Sequence, residues 1–536
     1  MKKLVPGILL TVAMLLLAAG LMWRGALAAN EDAARLSVTI VEDATGRPTA
    51  ARVRLTDGTG APVPPPQAAI GVMYFNLRET RYAAQPDGAF YVEGGFDAEL
   101  KPGRHRIVVT KGTEFLAQEQ EIEIAPGRND RREIRLKRWA NSAQQGWYAA
   151  DEHIHLRRSP RENAPILSWI AAEDLHVGVL LQWGDLFGTY DHQHAFGAAG
   201  VYQVGDRLIA SGQEEPRAHE LGHTLAFGAD EFVRFADAYY DYGRVFDRAH
   251  ELHGLTGYAH QAMTANAHRG LTMDALAGKV DFLEILQFSL IKLPGAPLLT
   301  AHYYTFLDLG CKLTATAGSD FPWLGKKPVS AMPQIGNVRF YTRLDGPLTH
   351  ERWREAVRAG HTYVSSGPLI EFTVNGKLPG DELDVPPGSR VRVVAKARGH
   401  ATQVPLADLQ IIVHGEVART VTAGDAGQSN ESLSLEADLP LEHGAWIAAR
   451  ARAGAGQVAH TTPVYVRVDG GGFHNPKTVQ QSLDLCEAYL RELEEDIAKP
   501  ADKPEDNAWR HRKLIEHRIA ETGEVIRKLR EKLSLR

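Results

Sequence analysis

Short apolar runs alternate with helical stretches between residues 146 and 365, and this alternation narrows the choice of fold more than any other feature of the chain. Val177 to Leu181 is a continuous apolar run, typical of a buried strand, and Glu231 to Arg248 is interpreted as a helix. Strands that alternate with helices form βαβ units, whose parallel strands build an α/β sheet or barrel. We therefore expect an α/β barrel over residues 146–365.

The segments on either side of this region have the two-residue alternation of β-strands. Leu36 to Ile40 and Arg390 to Val394 are examples, and clusters of Gly, Pro and Asp mark the turns between such runs. We expect one β-sandwich domain over residues 35–137 and a second over residues 366–470. The predicted fold class is therefore multidomain, with α/β and all-β parts.

The last segment, residues 476–536, has a helical period. Pro500 and Pro504 interrupt it, which predicts a helical hairpin. The hairpin either packs on the chain's own domains or forms a homodimer through its heptad-like face. The apolar residues of its first helix lie three or four apart: Val479, Leu483, Cys486, Leu490, Leu493 and Ile497.

The first 28 residues are interpreted as an export signal. Lys2 and Lys3 precede an apolar run from Ile8 to Leu21, and Ala26 and Ala28 have the small-residue spacing of a signal-peptidase site. Cleavage after Ala28 predicts a periplasmic or secreted protein. If the segment is not cleaved, it would anchor the chain in a membrane, because its apolar length approaches that of a spanning helix.

The charge balance and the cysteine count exclude two classes of protein. The chain has 60 Lys and Arg against 66 Asp and Glu, a formal net charge of −6, and so has no general attraction to phosphate backbones. Nucleic acid is therefore not expected as a partner. Cys311 and Cys486 are the only cysteines and lie far apart in sequence, so the fold must depend on hydrophobic cores and not on a disulfide framework.

A pair of histidines stands where the expected barrel begins. The run Asp151-Glu152-His153-Ile154-His155 follows the first β-domain closely. A strand points alternate side chains to one face, so His153 and His155 would aim two imidazoles at one point. Neutral imidazoles and carboxylates are ligands that divalent metals take in hydrolases. The pair therefore indicates a metal site.

Further polar groups follow in order, most of them beside a short apolar run. Residues at the carboxyl ends of barrel strands converge on one mouth, so these groups predict a single site that includes the histidine pair. Glu284 either orients a histidine of that site or begins the next helix. The groups are Gly212-Gln213-Glu214-Glu215, Gly222-His223, Gly257-Tyr258-Ala259-His260, Val280 to Glu284, and Ala317-Gly318-Ser319-Asp320.

Together these motifs resemble the PHP (polymerase and histidinol phosphatase) metal-hydrolase superfamily, in particular its carbaryl-hydrolase-like CehA/McbA branch. The resemblance covers residues 146–365 and implies a distorted barrel of about seven strand and helix units. Its marks are Gly146-Trp147-Tyr148 to His155, Ala172 to Val177, Gly222-His223, Ala259-His260, Gly318-Ser319-Asp320, and Ala359 to Pro368.

The resemblance also implies a set of metal ligands. Glu214 would bridge two ions, and the nucleophile would be a metal-bound hydroxide, so no catalytic side chain is assigned. Mixed histidine and carboxylate ligands suit Zn, Mn and Fe alike. One metal would be held by His153, His155, Glu214 and Asp320, and the second by Glu214, His223 and His260.

The chain departs from the family pattern at the third metal that many members bind. Gln182-Trp183 stands in place of an Asp-His pair, and Pro322 and Arg161 stand in place of histidines. All these losses fall on one metal, so we expect two divalent metal ions. The expected reaction is hydrolysis of a small-molecule ester, which could be a phosphoester, a carboxylic ester or a carbamate.

Two alternatives to this hydrolase remain open. His219-Glu220-Leu221-Gly222-His223 matches the HExxH motif of zinc peptidases, which needs both histidines on one helical face. Gly222 weakens a helix, however, and the stretch from Leu221 to Phe227 resembles a strand. The second alternative is a catalytically degenerate barrel that serves as a binding module in the cell envelope.

Overall fold

The structure is a computed structural model that describes residues 34–73, 80–82, 87–260, 266–287, 298–322, 333–499 and 511–534. The export signal expected over residues 1–28 lies outside these residues. Among the described residues, no helix has the length and apolar character needed to cross a membrane. The chain divides into two compact units, the first made of Met1–Ile70, Tyr82–Lys111 and Phe115–Arg138, and the second of Gly71–Arg81, Gly112–Glu114 and Trp139–Arg536.

The first unit is built from two sheets around one apolar core. Alternate residues of its first strand, Leu36, Val38 and Ile40, are buried, which confirms the two-residue pattern of the sequence. The sheet orders are β6-β1-β9 and β5-β2-β7-β8. The strands of these two sheets are β1 Ala34–Glu42, β2 Ala50–Asp57, β5 Phe90–Glu93, β6 Gly95–Leu100, β7 Gly103–Thr110, β8 Gln118–Ile124 and β9 Asn129–Leu136. β3 Gly71–Met73 and β4 Thr80–Tyr82 form a two-stranded sheet of their own and, except for Tyr82, belong to the second unit.

The second unit begins with strands and helices that alternate along the chain. The expected buried strand at Val177 to Leu181 is confirmed within a longer strand, and all five of these residues are buried. The strands are β10 Trp147–Ile154, β11 Val177–Gly184, β12 Thr189–Tyr190, β13 Tyr202–Val204, β14 Arg207–Glu214, β15 Arg217–Ala218, β16 Gly222–Phe227, β17 Leu255–Tyr258, β18 Phe282–Gln287, β19 Thr314–Gly318, β20 Arg339–Arg343 and β21 Thr362–Ser365. The helices are α1 Asn163–Ala172, α2 Tyr242–Glu251, α3 Ala267–Leu276, α4 Ala301–Asp308 and α5 His350–Arg358.

Seven of these strands follow one another in a single sheet in the order β10-β11-β14-β16-β17-β18-β19. Only β16 runs against its two neighbours, while the other adjacent pairs in this series are parallel. A backbone bridge joins Ile154, at the end of the first strand, to Phe321, just after the last. The sheet continues on the other side of β10 through β20 and β21.

A second β-rich region follows in the same unit. The three-stranded sheet β22-β24-β27 shares an apolar core with strands of the large sheet, as Val391, Ile411 and Ile447 show. β29 pairs with β21 and so connects the two parts of that sheet. The strands are β22 Leu369–Val374, β23 Glu382–Val385, β24 Arg390–Arg398, β25 Leu406–Val413, β26 Glu416–Thr422, β27 Ser432–Pro440, β28 Ala445–Ala453, β29 Val458–Thr461 and β30 Val464–Val468.

Two helices, α6 Val479–Ala498 and α7 Arg512–Ser534, end the described chain. Arg530, near the end of α7, donates to Gln480, near the start of α6, so the helices run antiparallel. Their apolar faces belong to the same core as Leu271 of α3, as Leu490 and Ile519 show. The helical pair expected from the sequence is confirmed, and its apolar face packs on the chain itself. The homodimer stays a prediction.

Candidate metal centre

Strand direction brings the candidate ligands to one edge of the seven-stranded series. His223 stands near the start of β16, and because this strand runs opposite to its neighbours, its start lies at the edge where their carboxyl ends lie. His153 stands near the end of β10, and Glu284 stands within β18. The remaining ligands stand at or just after the ends of β10, β14, β17 and β19: His155, Glu214, His260 and Asp320.

Three ligand atoms form a tight triangle. The Nε2 atoms of His153 and His155 lie 3.1 Å apart. The Oδ1 atom of Asp320 lies 3.3 Å from the first of these nitrogens and 3.2 Å from the second. Ligand atoms of a tetrahedral zinc ion, each about 2.0–2.1 Å from the metal, lie about 3.4 Å from one another. The triangle therefore has the spacing of a ligand set.

Glu214 faces a different pair of histidines with each of its oxygens. Its Oε1 lies 2.8 Å from Nδ1 of His223 and 3.7 Å from Nε2 of His260. Its Oε2 lies 3.2 Å from Nε2 of His155 and 3.8 Å from Nε2 of His153. This is the arrangement of a carboxylate that bridges two cation positions. The structure thus brings all six sequence-predicted ligands together, and their division between two metal ions stays a prediction.

Glu284 contacts one histidine of each group. Its Oε1 lies 3.1 Å from Nδ1 of His153, and its Oε2 accepts a hydrogen bond of 2.6 Å from the backbone N–H of His260. A carboxylate on the far nitrogen of a ligating imidazole fixes the tautomer and the orientation of the ring. Of the two roles that the sequence allowed for Glu284, the structure favours the orienting one, and the residue lies within a strand and begins no helix.

Asp151 holds the first strand of the site against the segment that follows β19. Its Oδ1 accepts from the backbone N–H groups of His153, at 3.1 Å, and Ser319, at 3.0 Å. Its Oδ2 accepts from the N–H of Gly336, at 2.9 Å. Because all three donors belong to the backbone, Asp151 fixes the course of the chain around the ligands. Its contacts are those of a structural residue.

Two of the candidate ligands adopt a backbone conformation that side chains rarely take. His260 has φ of 47° and Asp320 has φ of 53°, both in the left-handed region. For residues other than glycine this region costs about 1–2 kcal/mol. Such conformations persist where the surrounding structure fixes them, and they concentrate at functional sites. Here they turn both side chains towards the ligand cluster.

Electrostatics distinguish two of the buried histidines of the cluster, His260 and His153. Burial lowers the pKa of His260 to about 3, so this imidazole is neutral near pH 7. Burial alone would lower the pKa of His153 as well. The charges of Glu284 and Asp320 outweigh burial, so the pKa of His153 is well above its usual value. The cluster therefore favours a positive charge at the position of His153. His260 stays neutral, so one of its ring nitrogens has a lone pair that can bind a cation.

The bridging carboxylate stays ionised despite its burial. Burial alone would raise the pKa of Glu214, but the charges of Arg217 and His223 outweigh it and hold this pKa well below its usual range. In the same way, the charge of His153 and a hydrogen bond from His155 overcome burial and lower the pKa of Asp320. Both carboxylates thus carry their charge at neutral pH, as metal ligands must.

Unsatisfied polar atoms test whether a metal fits this cluster. Both oxygens of Glu214 and Nδ1 of His155 are buried and make no hydrogen bond of normal geometry. Buried polar atoms nearly always have partners, and a carboxylate without one is costly. The residues therefore fit divalent cations. Among the described residues, three groups each offer three ligand atoms within 4.8 Å of one another: His153, His155 and Asp320; Glu214, His223 and His260; and His153, His260 and Glu284.

The positions expected of a third metal hold other side chains. Gln182 accepts a hydrogen bond from the backbone N–H of Gln193, at 3.2 Å, and so anchors the loop that contains it. Trp183 places its ring 6.3 Å from that of His155 and flanks the cluster. His192 and His194, a second HxH pair in the sequence, are exposed and belong to none of the ligand groups found among the described residues.

The HExxH sequence does not form the helix that a zinc peptidase uses. His219, Glu220 and Leu221 lie in a turn, and His223 lies in β16. The two histidines therefore do not share a helical face. Glu220 accepts a hydrogen bond from the hydroxyl of Tyr240, at 3.1 Å.

Arg217, which stands three residues after Glu214, was not predicted from the sequence. Its Nε lies 3.4 Å from Oε2 of Glu214, and its Nη2 lies 3.3 Å from Nδ1 of His223. The guanidinium also lies over the ring of Trp183, 4.7 Å from its centroid. A nearby arginine has no motif of its own, so only its closeness to Glu214 in the sequence could have suggested it.

No family model matches the chain, and no curated protein matches it. Two solved structures show a weak similarity to it. GBS52, the minor pilin of Streptococcus agalactiae, has 16% identity and a TM-score of 0.13, with 20% of this chain and 45% of the pilin covered. An engineered protein has 11% identity and a TM-score of 0.13, with 38% of this chain and 44% of that one covered. This chain thus spans less than half of either protein, and neither similarity indicates a fold.

Proposed function

We propose that the protein is an exported, metal-dependent hydrolase of ester bonds, with two divalent metal ions at the cluster of four histidines and two carboxylates. The observation that carries this proposal is the bridging geometry of Glu214, whose two oxygens face separate histidine pairs. A site that held a single ion would not need a shared carboxylate in this orientation. Zn, Mn or Fe would suit the mixed ligands.

The strand series supports a PHP-type barrel for this hydrolase. Seven strands follow one another in one sheet, and the Ile154–Phe321 bridge links the last strand to the first. A hydrogen bond of 2.6 Å from the N–H of His155 to the carbonyl of Phe321 strengthens that link. Seven strands with ligands at one edge are what the resemblance to the CehA/McbA branch implies.

Different residues of the chain would have different roles in such a site. Two bound metals would supply positive charge to the group under attack and lower the pKa of a water between them. Glu214 would hold both ions, and Glu284 would orient His153 while it fixes the backbone of His260. Trp183 would exclude water from one side of the cluster. The substrate is a small molecule with a phosphoester, carboxylic ester or carbamate bond.

Metal content is the first measurement that tests the proposal. The purified protein should hold about two metal ions and hydrolyse p-nitrophenyl phosphate or a naphthyl ester or carbamate. His153→Ala should lose both metal and activity, because this residue contributes to the ligand triangle. His192→Ala is the matched control, since His192 is exposed and should change neither.

The other outcomes choose between the alternatives. A protein that takes up no metal and hydrolyses none of these substrates would refute the proposal in favour of a binding module in the cell envelope. A single zinc ion that survives His153→Ala but is lost in His219→Ala would point to the peptidase. Size-exclusion chromatography would show whether the chain also forms a homodimer through its C-terminal helices.

A further inference from the structure

Arg217 has a fixed position beside the metal centre. β15 pairs with β16 in antiparallel register, and this register places Arg217 directly across from His223. The backbone N–H of Arg217 donates to the hydroxyl of Tyr239 at 3.0 Å, which anchors the strand further. The Arg217 side chain is 19% exposed, so a ligand can reach it from solvent. The guanidinium is therefore both held and accessible.

The guanidinium of Arg217 packs on the indole ring of Trp183. The centre of the Arg217 guanidinium lies 4.7 Å from the centroid of the indole, within the range of a cation–π contact. The indole in turn donates from Nε1 to Oδ2 of Asp191 at 2.8 Å, which fixes the plane of the ring. The same ring also lies beside His155, so Trp183 contacts both Arg217 and a residue of the ligand triangle.

The N–H groups of the Arg217 guanidinium make few hydrogen bonds within the described residues. Its Nε is buried and has no hydrogen-bond partner of normal geometry, although Oε2 of Glu214 lies 3.4 Å away. A guanidinium offers five N–H donors in a planar fork that matches an oxyanion. Once Glu214 and His223 direct their lone pairs to metal ions, Arg217 would stand beside two divalent cations, and the single charge of Glu214 would be shared among all three positive groups. An oxyanion would balance this charge.

We propose that Arg217, supported by Trp183, binds the oxyanion group of the substrate and selects negatively charged esters over neutral ones. This inference rests on the proposed hydrolase function and deepens it, because it names the substrate class. The shared chemistry is an anionic oxygen group, which a phosphoryl group or a carboxylate can supply. Neutral carbamates and neutral carboxylic esters then become poor substrates of the site.

Binding of inorganic phosphate and of acetate, measured by calorimetry, tests the inference without any need for turnover. Arg217→Met keeps the length of the side chain and removes its charge, and it should raise the dissociation constant of the bound anion about 10- to 100-fold. Arg217→Lys should restore part of the affinity. Arg244→Met is the matched control, because Arg244 also lies over an aromatic ring, 3.8 Å from the centroid of Phe235, but is exposed. The control should bind the anion as the wild type does.

The two anions and the metal content separate the possible results. Preference for phosphate supports a phosphoryl group, and preference for acetate supports a carboxylate. If neither anion binds the metal-free or the metal-loaded protein, or if Arg217→Met binds it as tightly as the wild type, the inference is wrong. A metal content near zero in the wild type would instead refute the hydrolase and, with it, the anion site that depends on the bound metals. That result is distinct, because it is read before any anion is added.

Kinetics adds a second readout. In the metal-loaded protein, Arg217→Met should raise the KM for p-nitrophenyl phosphate more than it lowers kcat, because the arginine binds the anion in the ground state as well as in the transition state. The kcat/KM for neutral p-nitrophenyl acetate should fall much less than the kcat/KM for p-nitrophenyl phosphate. An equal loss on both substrates at reduced metal content would show that Arg217 only supports the fold, and would contradict the inference.

Discussion

At the scale of single residues, Glu284 shows how one side chain can contact two candidate ligands at once. It lies behind the imidazole of His153 and accepts from the backbone of His260. Burial raises its pKa, and the charge of His153 opposes this effect. The carboxylate therefore gains most when His153 stands as a donor next to it, which leaves Nε2 of that ring directed at the ligand triangle.

Glu284→Gln tests this orienting role. The amide would present an N–H to a position where both partners of Glu284 are donors, so one contact must be lost. We expect metal affinity to fall about 10- to 100-fold, with the fold retained. Competition with a chelator measures the change, and Glu231→Gln, at an exposed position, serves as the control. An unchanged affinity would show that Glu284 has no influence on the ligands.

His460 allows a prediction on pH that is independent of the metal centre. Its Nδ1 lies 2.7 Å from the carbonyl of Thr461, which can only accept, so Nε2 must accept the hydrogen bond from the hydroxyl of Tyr304, at 2.7 Å. Burial lowers the pKa of His460 to about 3, against an ordinary value of 6.5. The folded protein therefore holds this ring in its neutral form.

The sign of the pH effect follows from that shift. The unfolded chain takes up the proton first, so the stability that His460 contributes is complete above pH 6.5 and is lost as the pH falls towards 3. In His460→Gln, the melting temperature should depend less on pH over this window than in the wild type. His443→Gln, at an exposed histidine, should keep the wild-type dependence. Parallel curves for the wild type and His460→Gln would contradict the prediction.

At the scale of elements, the sequence predicted the strands better than the loops and short helices. Val177 to Leu181 is apolar throughout because both faces of β11 are buried, and that signal is local. The helix expected from Glu231 to Arg248 is in fact limited to Tyr242–Glu251. Asp241 caps its start by accepting from the N–H of Arg244, a local hydrogen bond that hydrophobic periodicity does not reveal.

The residues of the candidate site also differ in how well the sequence predicts them. The HxH pair could be recognised because two side chains on one strand face share a short spacing. The contact of Arg217 with Trp183 depends on the pairing of β15 with β16 and on the turn at residues 219–221 that joins these two strands. The two-residue strand β15 has no periodicity to detect. Residues that join a site through tertiary structure alone are therefore the ones that sequence reasoning missed.

At the scale of the whole molecule, the two C-terminal helices are attached to the second unit by buried charge as well as by apolar contacts. Arg518 of α7 lies 2.6 Å from Asp274 of α3, and both side chains are almost fully buried. Arg518 also donates to the carbonyl of Tyr240. Since α3 follows His260 in the chain, this pair connects the helical hairpin to an element near the ligand cluster.

Removal of one partner from this pair should destabilise the protein strongly. Arg518→Met would leave Asp274 as a buried charge without its cation, and we expect a loss of about 3–5 kcal/mol in the free energy of unfolding, measured in urea. Arg518→Met combined with Asp274→Asn should recover part of it. Arg527→Met, at an exposed arginine of the same helix, should cause a much smaller change. Equal effects of the two arginine variants would show that the buried pair has no special weight.

The left-handed backbone at Asp320 limits which residues evolution can place there. Apart from glycine, asparagine and aspartate tolerate this conformation best, and only aspartate among these three brings a charge. A glutamate would keep the charge but strain the main chain, and an asparagine would keep the main chain but lose the charge. Homologues that share the proposed activity should therefore be nearly invariant at this position, whereas homologues without it should more often have asparagine or glycine there.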